Sequence, residues 1–418
     1  MPFSLWDLAS QLAEEVLSFQ RPADAVLSYF FRHHSQLGRA DRAFMAESIF
    51  TLLRHYEKIQ MLHPKIAQNP RLAILMAQLL RGFSISALQK QASLSEEEIN
   101  LLKAFKETDF SGSLNTLAEL PDWLIDCLHQ QGNSDQNIVG LGQALNQQAP
   151  LDVRVNTLKM RRDAVYQQLQ EEGFQVALTP YSPWGIRFFD KPALNQHPLF
   201  KDGVLEVQDE GSQLLAYLSG AKRQQIAVDF CAGAGGKTLA MGAMMQNTGR
   251  LYAFDVSEKR LQKLKPRMAK SGLSNITPQL IANENDGKLQ KLYGKCDTVL
   301  IDAPCSGLGT LRRNPDLKYR QSVEHIQRIL IQQASIFQAA SHLVRIGGRL
   351  VYATCSILND ENEKQVKAFL QNHPHFELLD VRNLIQSLGI EINQPMLKLN
   401  PITHQTDGFF AAALIRKQ

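Results

Sequence analysis

Thr298-Val299-Leu300-Ile301-Asp302-Ala303-Pro304-Cys305-Ser306-Gly307-Leu308-Gly309 is a short β-branched apolar run that breaks into a carboxylate, a proline and a thiol. A buried parallel strand delivers reactive groups in this way to the carboxyl edge of a sheet, where open α/β folds place their ligands. The same grammar recurs in Arg349-Leu350-Val351-Tyr352-Ala353-Thr354-Cys355-Ser356, another apolar strand ending in a cysteine. If the two strands are sheet neighbours, two thiols and a carboxylate converge on one pocket. A single free cysteine is most often a small buried hydrophobe. Two in the same place at two strand ends point to chemistry.

Working outward, residues from Gly203 on alternate strand and helix: strands at Ile226 to Phe230, Arg250 to Phe254, Ile276 to Ile281, Thr298 to Ile301 and Leu350 to Ala353, with helices between them. That alternation predicts a doubly wound parallel sheet with right-handed crossovers. Ser257 is placed to cap the helix carrying Leu261, Leu264 and Met268, and Gly272 to stop it. Phe376 to Leu379 and Phe409 to Ile415 read as a closing strand pair, the last strand antiparallel.

The first strand-to-helix turn is Cys231-Ala232-Gly233-Ala234-Gly235-Gly236-Lys237-Thr238. Its glycines let backbone approach a ligand, and the helix start offers N–H groups to anionic parts of it. Asp255 closes the next strand, where an acid receives ribose hydroxyls in nucleoside-binding folds. Gly236-Lys237-Thr238 also ends like a phosphate-binding P-loop, but that pattern needs glycine where Cys231 stands. The dinucleotide fingerprint fails too, because Thr238 occupies its third glycine position.

Upstream the chain changes character. Residues 1 to about 110 read as a helical bundle: Phe44, Met45, Ile49, Leu52, Leu53 and Tyr56 recur near helical period between Asp41 and Tyr56, and Ser95 with Glu98 forms a capping-box pattern. After Gln147-Gln148-Ala149-Pro150, a strand at Leu151 to Lys159, a helix near Arg162 to Gly173 and a strand at Phe174 to Leu178 make a small β-α-β module of the kind that offers a sheet face to RNA. Arg154, Asn156 and Lys159 are its polar positions; a solvated strand face would read the same way.

At 418 residues, with 44% apolar and 21% charged content, the chain is long enough for two or three domains with ample core. No run of ~18 apolar residues would span a bilayer, and Met1 to Asp7 carries no charged leader or apolar core of a secretory signal. Five cysteines without framework or zinc-finger spacing suit reduced thiols and a cytoplasmic protein without metal. The net charge of +4 is uneven: residues 1–150 hold 12 Lys/Arg against 16 Asp/Glu, whereas residues 221–320 hold 17 against 8. A basic field around the pocket attracts a polyanion, although Lys259, Arg260, Lys263, Lys265, Arg267 and Lys270 also describe the solvated face of one helix.

These motifs together resemble the Nol/Nop/Sun family of RNA cytosine carbon-5 methyltransferases, which use S-adenosylmethionine. Cys231 to Lys237 is similar to that family's Cys-Ala-Ala-Pro-Gly-Gly-Lys cofactor loop, with Gly233 and Ala234 in place of Ala-Pro. Asp255 matches its ribose-binding acid, Asp302 to Gly307 its fourth motif and Thr354-Cys355-Ser356 its sixth. Asp286-Gly287 resembles the acid-glycine pair facing adenine, preceded here by Asn285. The likeness covers residues 145–418 and extends faintly to Gly38–His55, which resembles the NusB-like domain of the bacterial small-subunit rRNA members.

The resemblance implies an α/β fold: a Rossmann-like methyltransferase sheet with an antiparallel last strand at 205–418, linker helices and an RRM-like module at 113–204, and a NusB-like helical domain at 1–112. It implies a monomer that methylates carbon-5 of a cytosine in rRNA, foremost 16S rRNA, with no membrane partner. A tRNA methyltransferase and a non-catalytic RNA-binding assembly factor are the alternatives. Cytosine carbon-5 is a poor nucleophile until a thiolate adds at carbon-6. Either thiol can attack from geometry alone, and adjacency to Asp302 favours Cys305; the resemblance assigns attack to Cys355 and product release to Cys305. Asp302 is placed to stabilise charge on the ring and to meet the cofactor. Arg312, Arg313 and Lys318, just beyond, are candidate phosphate contacts, unless they are an ordinary basic loop.

Overall fold

The computed structural model describes residues 4–418 and divides into two compact units, residues 1–148 with 310–323, and residues 149–309 with 324–418. Met1–Phe3, on which part of the leader argument rests, lie outside the described residues. Among the described residues no helix is long and apolar enough to cross a membrane.

The first unit is helical, from Leu5–Leu17 to Asp135–Asn146. Its core gathers Leu12, Val16, Met45, Ile49, Leu52, Leu53, Ile59 and the Leu72–Ala77 run. Burial of each large apolar side chain contributes about 1.5–3 kcal/mol. The stripe expected from Asp41 to Tyr56 is split: a helix runs Arg39–Arg54, the backbone opens at His55 (φ −109°, ψ 22°), and a second helix runs Tyr56–Leu62. Ser95 and Glu98 make the expected reciprocal capping box on Glu96–Glu107. The chain leaves the second unit at Gly309, and residues 310–323 belong to the helical unit. There Tyr319 packs against Phe19 and Tyr56, and Asp316 accepts from the Ala23 N–H.

The second unit opens with strands β1 (Leu151–Val155), β2 (Val176–Leu178), β3 (Gly185–Phe188) and β4 (Leu205–Val207) in the order β2-β3-β1-β4. All pairings are antiparallel. The sequence pattern anticipates β1, the helix Arg162–Glu171 and β2, but not β3 or β4. One side of this sheet packs Val153, Val155 and Ile186 against Val165 and Leu169 of that helix. The other side is polar but not open to RNA. Asp152, Arg154, Arg187 and Glu206 are all at most 8% exposed, and their partners include Glu210, Arg267 and Gln405 of the same unit.

The large sheet contains β5 (Ile226–Asp229), β6 (Arg250–Asp255), β7 (Ile276–Leu280), β8 (Cys296–Asp302), β9 (Val344–Thr354), β10 (Phe376–Leu379), β11 (Leu397–Leu399) and β12 (Phe409–Arg416). Its order is β10-β12-β9-β8-β5-β6-β7, with β11 beside β12. Strands β5 to β9 pair in parallel, and β12 lies antiparallel on β9. Successive residues of the apolar runs point to opposite layers: Leu300, Val351 and Ala353 into one core, Val299, Ile301, Leu350 and Tyr352 into the other. This two-sided burial is why the strands read as continuous apolar runs. Helix Glu258–Ser271 ends on Gly272 in the left-handed conformation as expected, but Ser257 makes no side-chain cap. Strand order reverses between β5 and β8, and ligands of such sheets bind at that switch point.

Candidate functional site

Four strand ends meet around the switch point. After β5, the turn 231–235 is held by hydrogen bonds from Ala232 N–H to Phe254 O, Gly235 N–H to Ala232 O and Gly233 N–H to Asp255 Oδ2, at 2.8 Å each. Gly235 has φ +87°, and a Cβ there would lie 2.2 Å from a Leu264 methyl carbon, so only glycine fits. Asp255 ends β6 and also accepts from Ser257 N–H at 2.7 Å. Beside it opens a cavity of about 280 Å³ with Val256, Ile281, Pro304 and Ile336 as apolar walls, and Cys231, Asp255, Arg260 and Glu284 among its polar ones.

The turns after β8 and β9 bring the cysteines together. Asp302 and Ala353 are direct partners in the parallel ladder, so Cys305 and Cys355 leave adjacent strands at the same height. Their sulfurs are 3.2 Å apart, and the Cys355 N–H points to the Cys305 sulfur at 3.4 Å. Gly309 closes the turn. Its N–H donates to the Cys355 carbonyl at 2.9 Å, and a Cβ would lie 2.0 Å from the Gly408 carbonyl oxygen.

Charges around this point are concentrated. Lys237 Nζ donates to Asp302 Oδ2 at 2.8 Å. Burial presses the lysine pKa down, but the facing Asp302, its hydrogen bond, Cys355 and Asp229 carry it above the usual value, so Lys237 is an ammonium. The Cys305 pKa is held well above the ordinary thiol value, first by its hydrogen bond to Cys355 and then by burial. Burial, followed by Asp229, Asp302 and Asp255, pushes Cys231, which lines the cavity, up as well. Asp229 is 1% exposed. Its Oδ2 accepts from the Thr238 hydroxyl at 2.6 Å, whereas Oδ1 has no partner. Burial, with Asp302 and Asp255 nearby, pushes Asp229 up to about 7.

Comparison with known proteins gives the family of the chain. Residues 216–415 match the family model of the 16S rRNA methyltransferase RsmB/F, and residues 120–194 match the ferredoxin-like domain of RsmF/B-like methyltransferases. The chain is 30% identical to the probable ribosomal RNA small subunit methyltransferase B of Synechocystis sp., across 90% of this chain and 92% of that protein. It belongs to the RsmB/F family of rRNA methyltransferases. Among solved structures, PH0851 shares its fold, with a TM-score of 0.81 at 23% identity over the whole of both chains. A methyltransferase homologue from Pyrococcus horikoshii aligns at 28% identity and TM-score 0.59, over 71% of this chain and all of its own.

Within this RsmB/F chain, the structure gathers Cys231, Asp255, Asp302, Lys237, Cys305 and Cys355 at one sheet edge, with the turn Ala232-Gly233-Ala234-Gly235-Gly236 between them. Asp286 stands apart from the cavity. Its oxygens accept from the Lys288 and Ala282 N–H groups of its own loop, at 2.9 and 2.8 Å, and these bonds hold its pKa low. Glu284 is the acid of that loop on the cavity wall.

The RNA-contact expectation is corrected at four residues. Arg154 is 2% exposed and donates to Gln208 at 2.7 Å. Asn156 is equally buried, with its amide on the Gly203 and Ser271 carbonyls. Lys318 is buried in the helical unit, donating to the Arg54 and Glu119 carbonyls, and burial lowers it to about 8. Arg312 is 6% exposed, too deep for a surface phosphate contact. Side chains buried this deeply offer RNA no surface donor. Lys159 is exposed, but its ammonium donates to the Asp202 and Lys270 carbonyls at 2.6 and 2.7 Å. Arg313 is half-buried in the segment that belongs to the helical unit.

Proposed function

We propose that this rRNA methyltransferase acts on carbon-5 of a cytosine in small-subunit rRNA through a covalent cysteine–base adduct. The observation that carries the reading is the pair of thiols in contact, 3.2 Å apart, on neighbouring parallel strands beside Asp302. A methyltransferase acting on an exocyclic nitrogen or a ribose hydroxyl has no use for a thiol nucleophile; carbon-5 of a pyrimidine requires one.

The cavity suits S-adenosylmethionine, with Asp255 for a ribose and apolar walls for an adenine. The cofactor supplies an electrophilic sulfonium methyl. The chain's own residues prepare the base. Target cytosines must leave the helical stack to reach a pocket of this kind. Cys355 attacks as the thiolate, its thiol proton having passed to solvent: Sγ forms a bond to carbon-6, the carbon-5–carbon-6 π electrons shift towards N3, and the Lys237–Asp302 pair offsets the developing charge. Carbon-5 is then enamine-like and accepts the methyl.

Release requires loss of the carbon-5 proton and breakage of the sulfur–carbon-6 bond, which restores the ring double bond and returns the Cys355 sulfur with its electron pair. Cys305 is the group placed to take that proton. Its thiol is held protonated chiefly by the hydrogen bond to Cys355. Once the Cys355 sulfur is bonded to carbon, that cause lapses; Cys305 releases its own proton to solvent and, as the thiolate, takes the one from carbon-5. Bisulfite sequencing of 16S rRNA and tRNA after incubation with protein and S-adenosylmethionine tests the reading. New 5-methylcytosine in 16S rRNA is expected; signal in tRNA alone refutes the substrate, and cofactor binding without methylation of either supports a non-catalytic assembly factor.

A further inference from the structure

The turns that carry the two thiols share one support on the side of Glu361. This residue follows β9 and is wholly buried, at 0% exposure. Its Oε2 accepts from the Ser306 N–H at 2.8 Å and from the Gln333 amide at 3.0 Å. Its Oε1 accepts from the Ser306 hydroxyl at 2.5 Å and from the Ser356 hydroxyl. Ser306 and Ser356 directly follow Cys305 and Cys355, and their hydroxyls lie 3.1 Å apart. The same Gln333 amide donates to the carbonyl of Pro304, just before Cys305, at 2.9 Å. Asn362 ties the second turn: the Thr354 hydroxyl donates to its Oδ1, and its Nδ2 donates to the Ser356 carbonyl at 2.9 Å. Each cysteine is therefore flanked on both sides by residues tied to Glu361 and Asn362, Pro304 through Gln333 and the others directly.

Burying a carboxylate among neutral donors is a costly way to join two loops if joining is all that is required. Its placement is specific to the sulfurs. The four donors come from the two cysteine turns and from the helix Val323–Ser341 that braces one of them.

We propose that Glu361 is a positioning residue which, through Ser306 and Ser356, holds the two turns in register so that the Cys305 and Cys355 sulfurs stay in contact. The effect on turnover rests on the cysteine chemistry above; the effect on sulfur geometry does not. Glu361→Ala removes the clamp. Glu361→Gln keeps it, because one amide oxygen serves the Ser306 N–H and Gln333, while its NH₂ donates to hydroxyls that can accept.

The first readout is the rate at which diamide, a two-electron oxidant of thiols, joins Cys305 to Cys355, followed by peptide mass mapping. The rate should fall about tenfold or more in Glu361→Ala and stay within about threefold of the parent in Glu361→Gln. On methylation, Glu361→Ala should lose about 100-fold in kcat with the KM for RNA and the calorimetric Kd for S-adenosylmethionine little changed, and Glu361→Gln should recover most of kcat. If Glu361→Ala does not fold, Ser306→Ala with Ser356→Ala removes both hydroxyl links to Oε1, and with them the tie from Glu361 to the Cys355 turn, while Ser306 N–H and Gln333 stay on Oε2, and it is read the same way. Cross-linking at the parent rate in the alanine variants overturns the proposal, as does a glutamine variant as slow as the alanine one. Normal cross-linking in a parent protein that methylates nothing would fault the functional reading and leave the clamp standing.

Discussion

Asp152 and Asp229 are each 1% exposed in the same unit, yet their surroundings are opposite. Asp152, on the small sheet, faces the Arg187 guanidinium with two hydrogen bonds, at 2.7 and 2.9 Å, and accepts from the Glu210 N–H as well. Asp229, at the end of β5, has the Thr238 hydroxyl on one oxygen and nothing on the other, and burial, helped by the acids Asp302 and Asp255, drives it up to about 7. On the polar face of the small sheet, opposite charges meet and the residues join one part of the fold to another. At the carboxyl edge of the large sheet, like charges and thiols are crowded together. That imbalance is typical of reactive sites, because the ligand completes it.

The contrast is sharpened most by paired substitutions. Asp302→Ala should lower methylation kcat by about a thousandfold, since it removes a charged group at the reacting base, a loss of activity far larger than the stability lost by unpairing Lys237 from this partly exposed carboxylate. Asp152→Ala should do the reverse. Stranding the Arg187 guanidinium should cost about 3–5 kcal/mol in denaturant unfolding, with kcat per folded molecule unchanged. If Asp152→Ala instead abolishes turnover in a fully folded protein, the division between a structural face and a reactive edge is wrong.

Asp229 gives a pH-dependent form of the same test. Its folded-state pKa of about 7 lies above the unfolded value, so the native state keeps a proton that the unfolded chain surrenders. Its contribution to stability is full below about pH 4, is lost as pH rises towards about 7, and is flat above that. Asp229→Asn should abolish this slope and exceed the parent by a few kcal/mol at pH 8, with little difference at pH 4. Identical pH profiles from urea unfolding would show that Asp229 is compensated after all.

Smaller effects follow. Asp255→Ala should weaken S-adenosylmethionine binding by roughly 10–100-fold in calorimetry, the loss of charge-assisted hydrogen bonds to a ribose. Least of all, Lys159→Ala should change stability by less than about 0.5 kcal/mol. It should also leave the salt dependence of RNA binding intact, because its ammonium is committed to two carbonyls. A salt slope reduced by about one unit would restore Lys159 as a phosphate contact.

The large sheet was legible in the sequence because two-sided burial leaves continuous apolar runs whose ends are marked by Asp229, Asp255, Asp302, Cys305 and Cys355. The small sheet was legible only in part. Alternating polar residues on β1 look the same whether they face water or Arg267 and Glu210, and those partners lie too far along the chain for any local pattern to reveal them. Strand β3 is four residues and β4 three, too short for periodicity to register. Lys318 and Arg312 read as a basic loop because nothing local shows that residues 310–323 return to the helical unit. Glu361, within Asp360-Glu361-Asn362-Glu363, looks like a solvated acidic run. Its importance appears only when the fold brings Ser306 and Gln333 to it.

The central claim is that the two thiols divide one reaction between attack and release, and trapping of the RNA adduct tests it most directly. Parent protein, Cys305→Ala and Cys355→Ala are incubated with 16S rRNA and S-adenosylmethionine and run on a denaturing gel. A shifted protein–RNA band with Cys305→Ala, and none with Cys355→Ala, is the expected result, because an adduct that cannot lose its carbon-5 proton cannot expel the sulfur. A shifted band with Cys355→Ala and none with Cys305→Ala would contradict the assignment and exchange the roles of the two cysteines.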